Sequence, residues 1–292
     1  MEDNFFSIVG KTITSLKSNV VYMAINENVI SRFNVNVSGN GKKPMLFAHG
    51  LGCDQLMWRF ITPAFEKNYK IVLFDYVGCG KSDNSHYDKG NYSSLQGYAN
   101  DILAIAGALV LKDIIFVGHA VRAMTGLLAA IKSPELFSKI IMVSPSPCYI
   151  NDKNYNGGFE RKEIEGLITD MGKNFYNWAG NIAPISMQNL DRPQLTKELE
   201  ERICNSDPAI TIDFAKAAFY ADHRNDLHKI KTPSLIMQCS EDILAPVEVG
   251  EYMHKNMPQS TLRDMKATGH CPHLSAPAET IEIIKQFLKE GI

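Results

Sequence analysis

The chain has no marked excess of either charge. Its 30 Lys and Arg against 32 Asp and Glu leave a formal net charge of −2, which excludes the basic footprint of a nucleic-acid-binding domain. No stretch of about 18 uncharged apolar residues occurs, so no membrane-spanning helix is expected. The segment Met1–Ala24 has no positive leader followed by an unbroken apolar run, so it does not read as a signal peptide. It starts acidic, and Lys11 and Lys17 interrupt its apolar residues; it reads as an N-terminal appendage. The six cysteines lack C-x-x-C spacing. Neither a zinc ribbon nor a disulfide framework is implied, and a reducing compartment is expected. Gly78-x-Gly80 lacks the third glycine and following helix of a dinucleotide fingerprint. No cofactor and no metal site is therefore expected.

What is present is an alternation of short apolar runs with helical patterns. Asn28–Val37 alternates and is read as an early strand, followed by a turn at Ser38–Gly41. Further strands are expected at Met45–Ala48, Lys70–Asp75, Asp113–Val117, Lys139–Val143, Ser234–Gln238 and Thr261–Met265. Helices are expected at Gln55–Phe65, Leu95–Leu109, Val121–Ile131, Val247–Lys255 and Ala278–Leu288. Such alternation implies a mainly parallel sheet covered on both faces. Between Asn151 and Ala221 no strand-like run appears. Helical patterns take over at Glu160–Met171, Lys173–Ala179, Gln194–Asn205 and Pro208–Tyr220, with Pro184, Pro193 and Pro208 punctuating them. The expected division is a core of residues 25–150 and 222–292, with residues 151–221 as a four-helix lid over the carboxyl edge, where open α/β sheets bind ligands.

The stretch Ile114–Ala123 organises the rest. Four apolar residues run into Gly118-His119-Ala120-Val121-Arg122, and a helical pattern follows at once. Strand, sharp turn and helix form the frame of the G-x-S-x-G nucleophile elbow of α/β-hydrolases. Two letters differ: Ala120 stands in the nucleophile position and Arg122 where a small residue is usual. Asp242 and His270 follow in the hydrolase order, each just past an expected strand, as acid and base. Glu241 and His273 are adjacent rivals for those roles. The backbone N–H groups of Leu51 and Val121 would form an oxyanion hole, which needs no serine side chain. Among other possible nucleophiles, Thr125, Ser144 and Ser146 lie off the elbow, and Cys53 and Cys271 flank the site. His119 is read as packing beside the turn. Arg122 lies in the first helical turn, where a cation opposes the macrodipole.

The motifs His49–Gln55, Phe74–Gly78, Phe116–His119, Ser144–Tyr149, Gly157–Glu160 and Gly269–His273 resemble the RsbQ-type α/β-hydrolases of bacterial stress signalling. More loosely, they resemble the plant karrikin and strigolactone receptors. The resemblance covers about Asn28 to the C-terminus and implies an eight-stranded α/β-hydrolase core under a four-helix lid. It implies an apolar pocket for a small ester- or lactone-like molecule, and a PAS-domain phosphatase as partner. Serine-dependent hydrolysis, which that family shares, is the property Ala120 removes. An alternative reading is a non-catalytic ligand receptor or adaptor that binds the phosphatase through the lid.

Overall fold

The computed structural model describes residues 27–290; the appendage Met1–Ala24 lies outside them. Seven strands form one sheet in the order β1-β3-β2-β4-β5-β6-β7. They are β1 (Asn36–Ser38), β2 (Lys43–Ala48), β3 (Tyr69–Leu73), β4 (Ile114–His119), β5 (Phe137–Val143), β6 (Ser234–Glu241) and β7 (Ser260–Thr268). All pairings are parallel except the edge pair β1–β3. The eight-stranded expectation is thus corrected to seven among the described residues. The early strand is corrected as well. Residues 27–32 are helical and only Asn36–Ser38 is extended.

The strands are legible as alternating faces. In β4, Ile114 and Phe116 enter one core while Ile115 and Val117 enter the other. In β2, Leu46 and Ala48 oppose Met45 and Phe47 in the same way. Helices α1 (Leu95–Ala108), α2 (Val121–Lys132), α7 (Val247–Asn256), α8 (Pro272–Ser275) and α9 (Pro277–Lys289) complete the α/β part. The expected helix Gln55–Phe65 is instead two 3-10 turns, Gln55–Trp58 and Thr62–Ala64. Pro63 has no N–H for a continuous helix and sits in the first turn of the second segment.

Between β5 and β6 the chain forms α3 (Arg161–Lys173), α4 (Phe175–Met187), α5 (Pro193–Cys204) and α6 (Pro208–Phe219). Helix α4 runs through Pro184, which the sequence reading had placed as punctuation. The chain leaves β2 for β3 on one side and returns to β4 on the other. That reversal is a topological switch point, and the crevice beyond the carboxyl ends of β2 and β4 is where such sheets bind ligands.

Candidate active site

The turn after β4 is held in the elbow geometry although its serine is missing. Ala120 has φ 56° and ψ −136°, a conformation costing a non-glycine residue about 1–3 kcal/mol. The surroundings impose it. The Ala120 N–H bonds Val143 O at 2.9 Å and the Ala120 carbonyl accepts from Ala123 N–H at 3.0 Å. Strand β4 and helix α2 approach closely because glycines let them. A Cβ on Gly118 would lie 2.7 Å from the Ala123 Cα, and one on Gly126 would lie 2.0 Å from the Phe116 ring.

Asp242 and His270 come together at the ends of β6 and β7. His270 Nδ1 and Asp242 Oδ2 are 2.8 Å apart. Asp242 Oδ1 accepts the N–H groups of Leu244 and Ala245, at 2.9 and 3.1 Å. Asp242 accepts all three bonds, which sets the tautomer with Nδ1–H toward Asp242 and Nε2 as the ring's acceptor. The two rivals are placed elsewhere. Glu241 is exposed on β6. His273 is buried between Trp58 and His119, with ring centroids 4.7 and 4.4 Å away.

His119 does more than pack. Its Nε2–H donates to His270 O at 2.7 Å, and the Ser186 carbonyl of α4 accepts the His270 N–H at 2.7 Å. The base is therefore fixed by its backbone from two sides. Burial drives His119 down to about 3, with the nearby His270 adding to the effect, so it stays the neutral donor this contact requires. A Cβ on Gly50 would lie 2.5 Å from His119 Nδ1, so glycine there admits the ring. The sequence signal for this role was only adjacency, Gly118-His119 at the elbow. His49 supports the loop in a similar way, bonding the Gly50 carbonyl at 3.0 Å and accepting the Tyr76 N–H at 3.1 Å.

Leu51, Ala120, Val121, His119, His270 and Cys271 line one cavity with Tyr149 and with Trp178, Ile182, Leu199, Ala218 and Phe219 of the helical insertion. Its volume is about 60 Å³, room for a few waters. Val121 opens α2, so its N–H has no acceptor within the helix. Leu51 and Val121 line the same apolar chamber as the His270 ring. The insertion closes it. Arg202 of α5 holds both Asp54 oxygens, at 2.6 and 2.8 Å, and Ile203 packs on Gly52.

No alternative nucleophile among those considered is free at this point. Thr125 Oγ1 donates to Arg122 O at 2.7 Å and shares a bond with the Tyr76 hydroxyl. Ser146 Oγ donates to Cys148 O, and Ser144 Oγ lies 3.7 Å from Cys239 Sγ. Cys53 and Cys271 line the cavity, but burial pushes both thiols far up, which suppresses the thiolate.

Arg122 departs from the expectation of a doubly unfavourable residue. It is 1% exposed and does not line the cavity. Its guanidinium carbon lies 3.8 Å from the Tyr76 ring centroid, 4.2 Å from Tyr98 and 3.4 Å from Phe214. Desolvated cation–π contacts contribute up to about 2 kcal/mol each, enough to offset the macrodipole term of about 0.3–1 kcal/mol.

An elbow turn and a hydrogen-bonded His–Asp pair around one chamber have the arrangement of the α/β-hydrolase class. A model of the alpha/beta hydrolase family matches residues 45–283, and the chain belongs to that family. Strigolactone esterase D14 of Arabidopsis thaliana is 35% identical over 262 residues, which cover 89% of this chain and 98% of that protein. Karrikin insensitive 2 receptor IA of Petunia hybrida is 36% identical over 259 residues, covering 88% of this chain and 94% of that one. Among solved structures, a hydrolase from Oleispira antarctica superposes with a TM-score of 0.89 at 41% identity, covering 91% of this chain and 98% of that chain. No helix of the described residues is long and apolar enough to cross a membrane.

Proposed function

We propose that this protein binds a small apolar ester- or lactone-like molecule beneath its helical lid and does not turn it over by a covalent serine mechanism. The observation that carries this reading is Ala120 at the strained elbow, lining one chamber with His270, Leu51 and Val121. The site keeps what recognises a polarised carbonyl and lacks what attacks it. Relatives named as esterases and as receptors support the substrate class. A chamber of about 60 Å³ requires the lid to move before anything beyond a few heavy atoms can enter. The motif likeness to RsbQ-type proteins supports a signalling setting, with a PAS-domain phosphatase docking on the lid.

The test is Ala120→Ser assayed on p-nitrophenyl acetate beside the unaltered chain, with butenolide binding followed by calorimetry. The serine variant is expected to gain at least about 10²-fold in hydrolysis and a burst phase. The unaltered chain is expected to bind butenolides without releasing product. Hydrolysis by the unaltered chain as fast as by the variant would refute the reading.

A further inference from the structure

Arg122 violates two local preferences at once. A cation in the first turn of α2 opposes the helix dipole, and a buried charge needs compensation that an apolar side chain would not. Its Nε and Nη1 are buried without a hydrogen-bond partner among the described residues. What the guanidinium has instead is ring faces on three sides. Tyr76 follows β3 and Tyr98 belongs to α1, so two faces come from the α/β core. The third, Phe214, comes from lid helix α6 and is the nearest, at 3.4 Å.

Helix α6 is otherwise tied to the core at both ends. Phe219 packs on Tyr149 with ring centroids 5.1 Å apart, and the His223 N–H just beyond it bonds Pro147 O at 2.9 Å. A denser set of contacts holds its start. The Asp207 N–H bonds Gly78 O at 2.8 Å, and Ile210 fills the space a Cβ on Gly78 would need. Tyr87 and Lys89 reach Asp213 at 3.1 and 3.0 Å. Past that point the helix carries Ala218 and Phe219, which form one wall of the ligand chamber. Phe214 sits one turn before them. The contact between Arg122 and Phe214 therefore lies in the middle of α6, between its anchored start and the end that walls the chamber. Arg122 itself is two residues from Ala120, on the helix that starts at the elbow.

We propose that Arg122 is a positioning residue that latches lid helix α6 to the elbow helix, holding the chamber closed, with its charge rather than its bulk as the operative feature. An uncharged chain of the same length would fill the aromatic box but lose the attraction to the face of Phe214. Departures from local rules without a packing reason mark functional positions. The latch operates whether or not a bound molecule is hydrolysed, so it stands apart from the reading of the site above.

The experiment compares Arg122→Met, which keeps length and volume, with Arg122→Lys, which keeps charge, and with Phe214→Leu, which removes the lid-side face. Hydrogen exchange is followed by mass spectrometry in the peptides of α6 and of β4 and β5. Entry of the uncharged fluorophore N-phenyl-1-naphthylamine is followed by stopped flow. Arg122→Met and Phe214→Leu are each expected to speed α6 exchange and dye entry about tenfold, leaving the sheet peptides unchanged. Arg122→Lys should stay within about threefold of the parent, and the Met and Leu changes combined should add nothing further. Unchanged α6 exchange in both Arg122→Met and Phe214→Leu would overturn the latch. So would exchange that rises equally in the sheet, since that assigns Arg122 to core packing alone. If Arg122→Met does not fold, Phe214→Leu decides by itself.

Discussion

Gly118, Ala120 and Gly126 show how closely the turn after β4 is constrained. The Phe116 ring lies where a Cβ on Gly126 would be, 2.0 Å away. Gly126→Ala must therefore move either the ring or the helix, and is expected to cost about 1–3 kcal/mol, read as a lowered urea midpoint. Because the same packing holds Ala120 at positive φ, a serine introduced there inherits a formed elbow. Asp242 then matters through His270. With Nδ1 and Oδ2 at 2.8 Å, Asp242→Asn in the Ala120→Ser background would favour the wrong imidazole tautomer. It is expected to lower kcat by about 10⁴-fold, as the same change does in a serine-protease triad. A drop under tenfold would show that Asp242 does not orient the base. The spacing of Ala120, Asp242 and His270 was readable from the sequence because each follows a strand. The roles of His119 and Arg122 were not. Both depend on partners far along the chain, the His270 carbonyl and the Phe214 ring, which no local pattern announces.

The elements divide into those whose sequence has one physical reading and those with two. Strands β2, β4 and β6 are short buried apolar runs between turn residues, and their length, too short for a helix, decides for strand. Residues 28–37 were ambiguous. Val29 and Phe33 fit alternation, yet they are also four apart. The chain takes the helical option, with Phe33 N–H bonded to Val29 O at 3.2 Å. Helix α4 was underestimated because proline reads as a stop. Here Asn174 caps its start through Asn177 N–H, and Gln188 at φ 59° follows its end, so the boundaries lie outside Pro184. Helix α5 makes a prediction of its own. Arg202 spans Glu198 on its own helix and Asp54 on the loop after β2, and is mostly buried. Removing it leaves Asp54 without its cation above the oxyanion loop. Arg202→Ala is expected to cost about 1–2 kcal/mol and to open the α5 segment to limited proteolysis before the sheet is cut. A cleavage pattern identical to the parent's would argue against the tie.

For the whole molecule, the buried titrating groups dictate how stability follows pH. His49, His119 and His273 are fully buried and their pKa values are lowered chiefly by desolvation, His119 to about 3 and His273 well below the usual imidazole range. His119 and His273 stay neutral in the fold, while in the unfolded chain they take up protons below about pH 6.5. Their neutral-state stability is complete above the unfolded value and is lost as pH falls toward the folded one. Asp101 acts oppositely. Burial raises it to about 7, so between about pH 4 and 7 the folded protein holds a proton that the unfolded chain does not. Between pH 6 and 5 the unfolded chain thus binds two protons on His119 and His273 against one on Asp101 in the fold, a difference of one, to which His49 adds in the same direction. At about 1.4 kcal/mol per proton and pH unit, that is a loss of at least about 1 kcal/mol per unit of acidification. Against a total of about 5–15 kcal/mol, that is a measurable share of the stability with each unit. Urea midpoints at pH 7, 6 and 5 measure this, and a flat or rising series from 6 to 5 would contradict it. His273→Phe supplies the decisive comparison. Both ring nitrogens of His273 lack partners among the described residues and the ring packs against Trp58, so phenylalanine keeps the contact and removes one proton. The slope between pH 6 and 5 should then fall by about 1.4 kcal/mol per pH unit, as one histidine proton disappears from the unfolded chain.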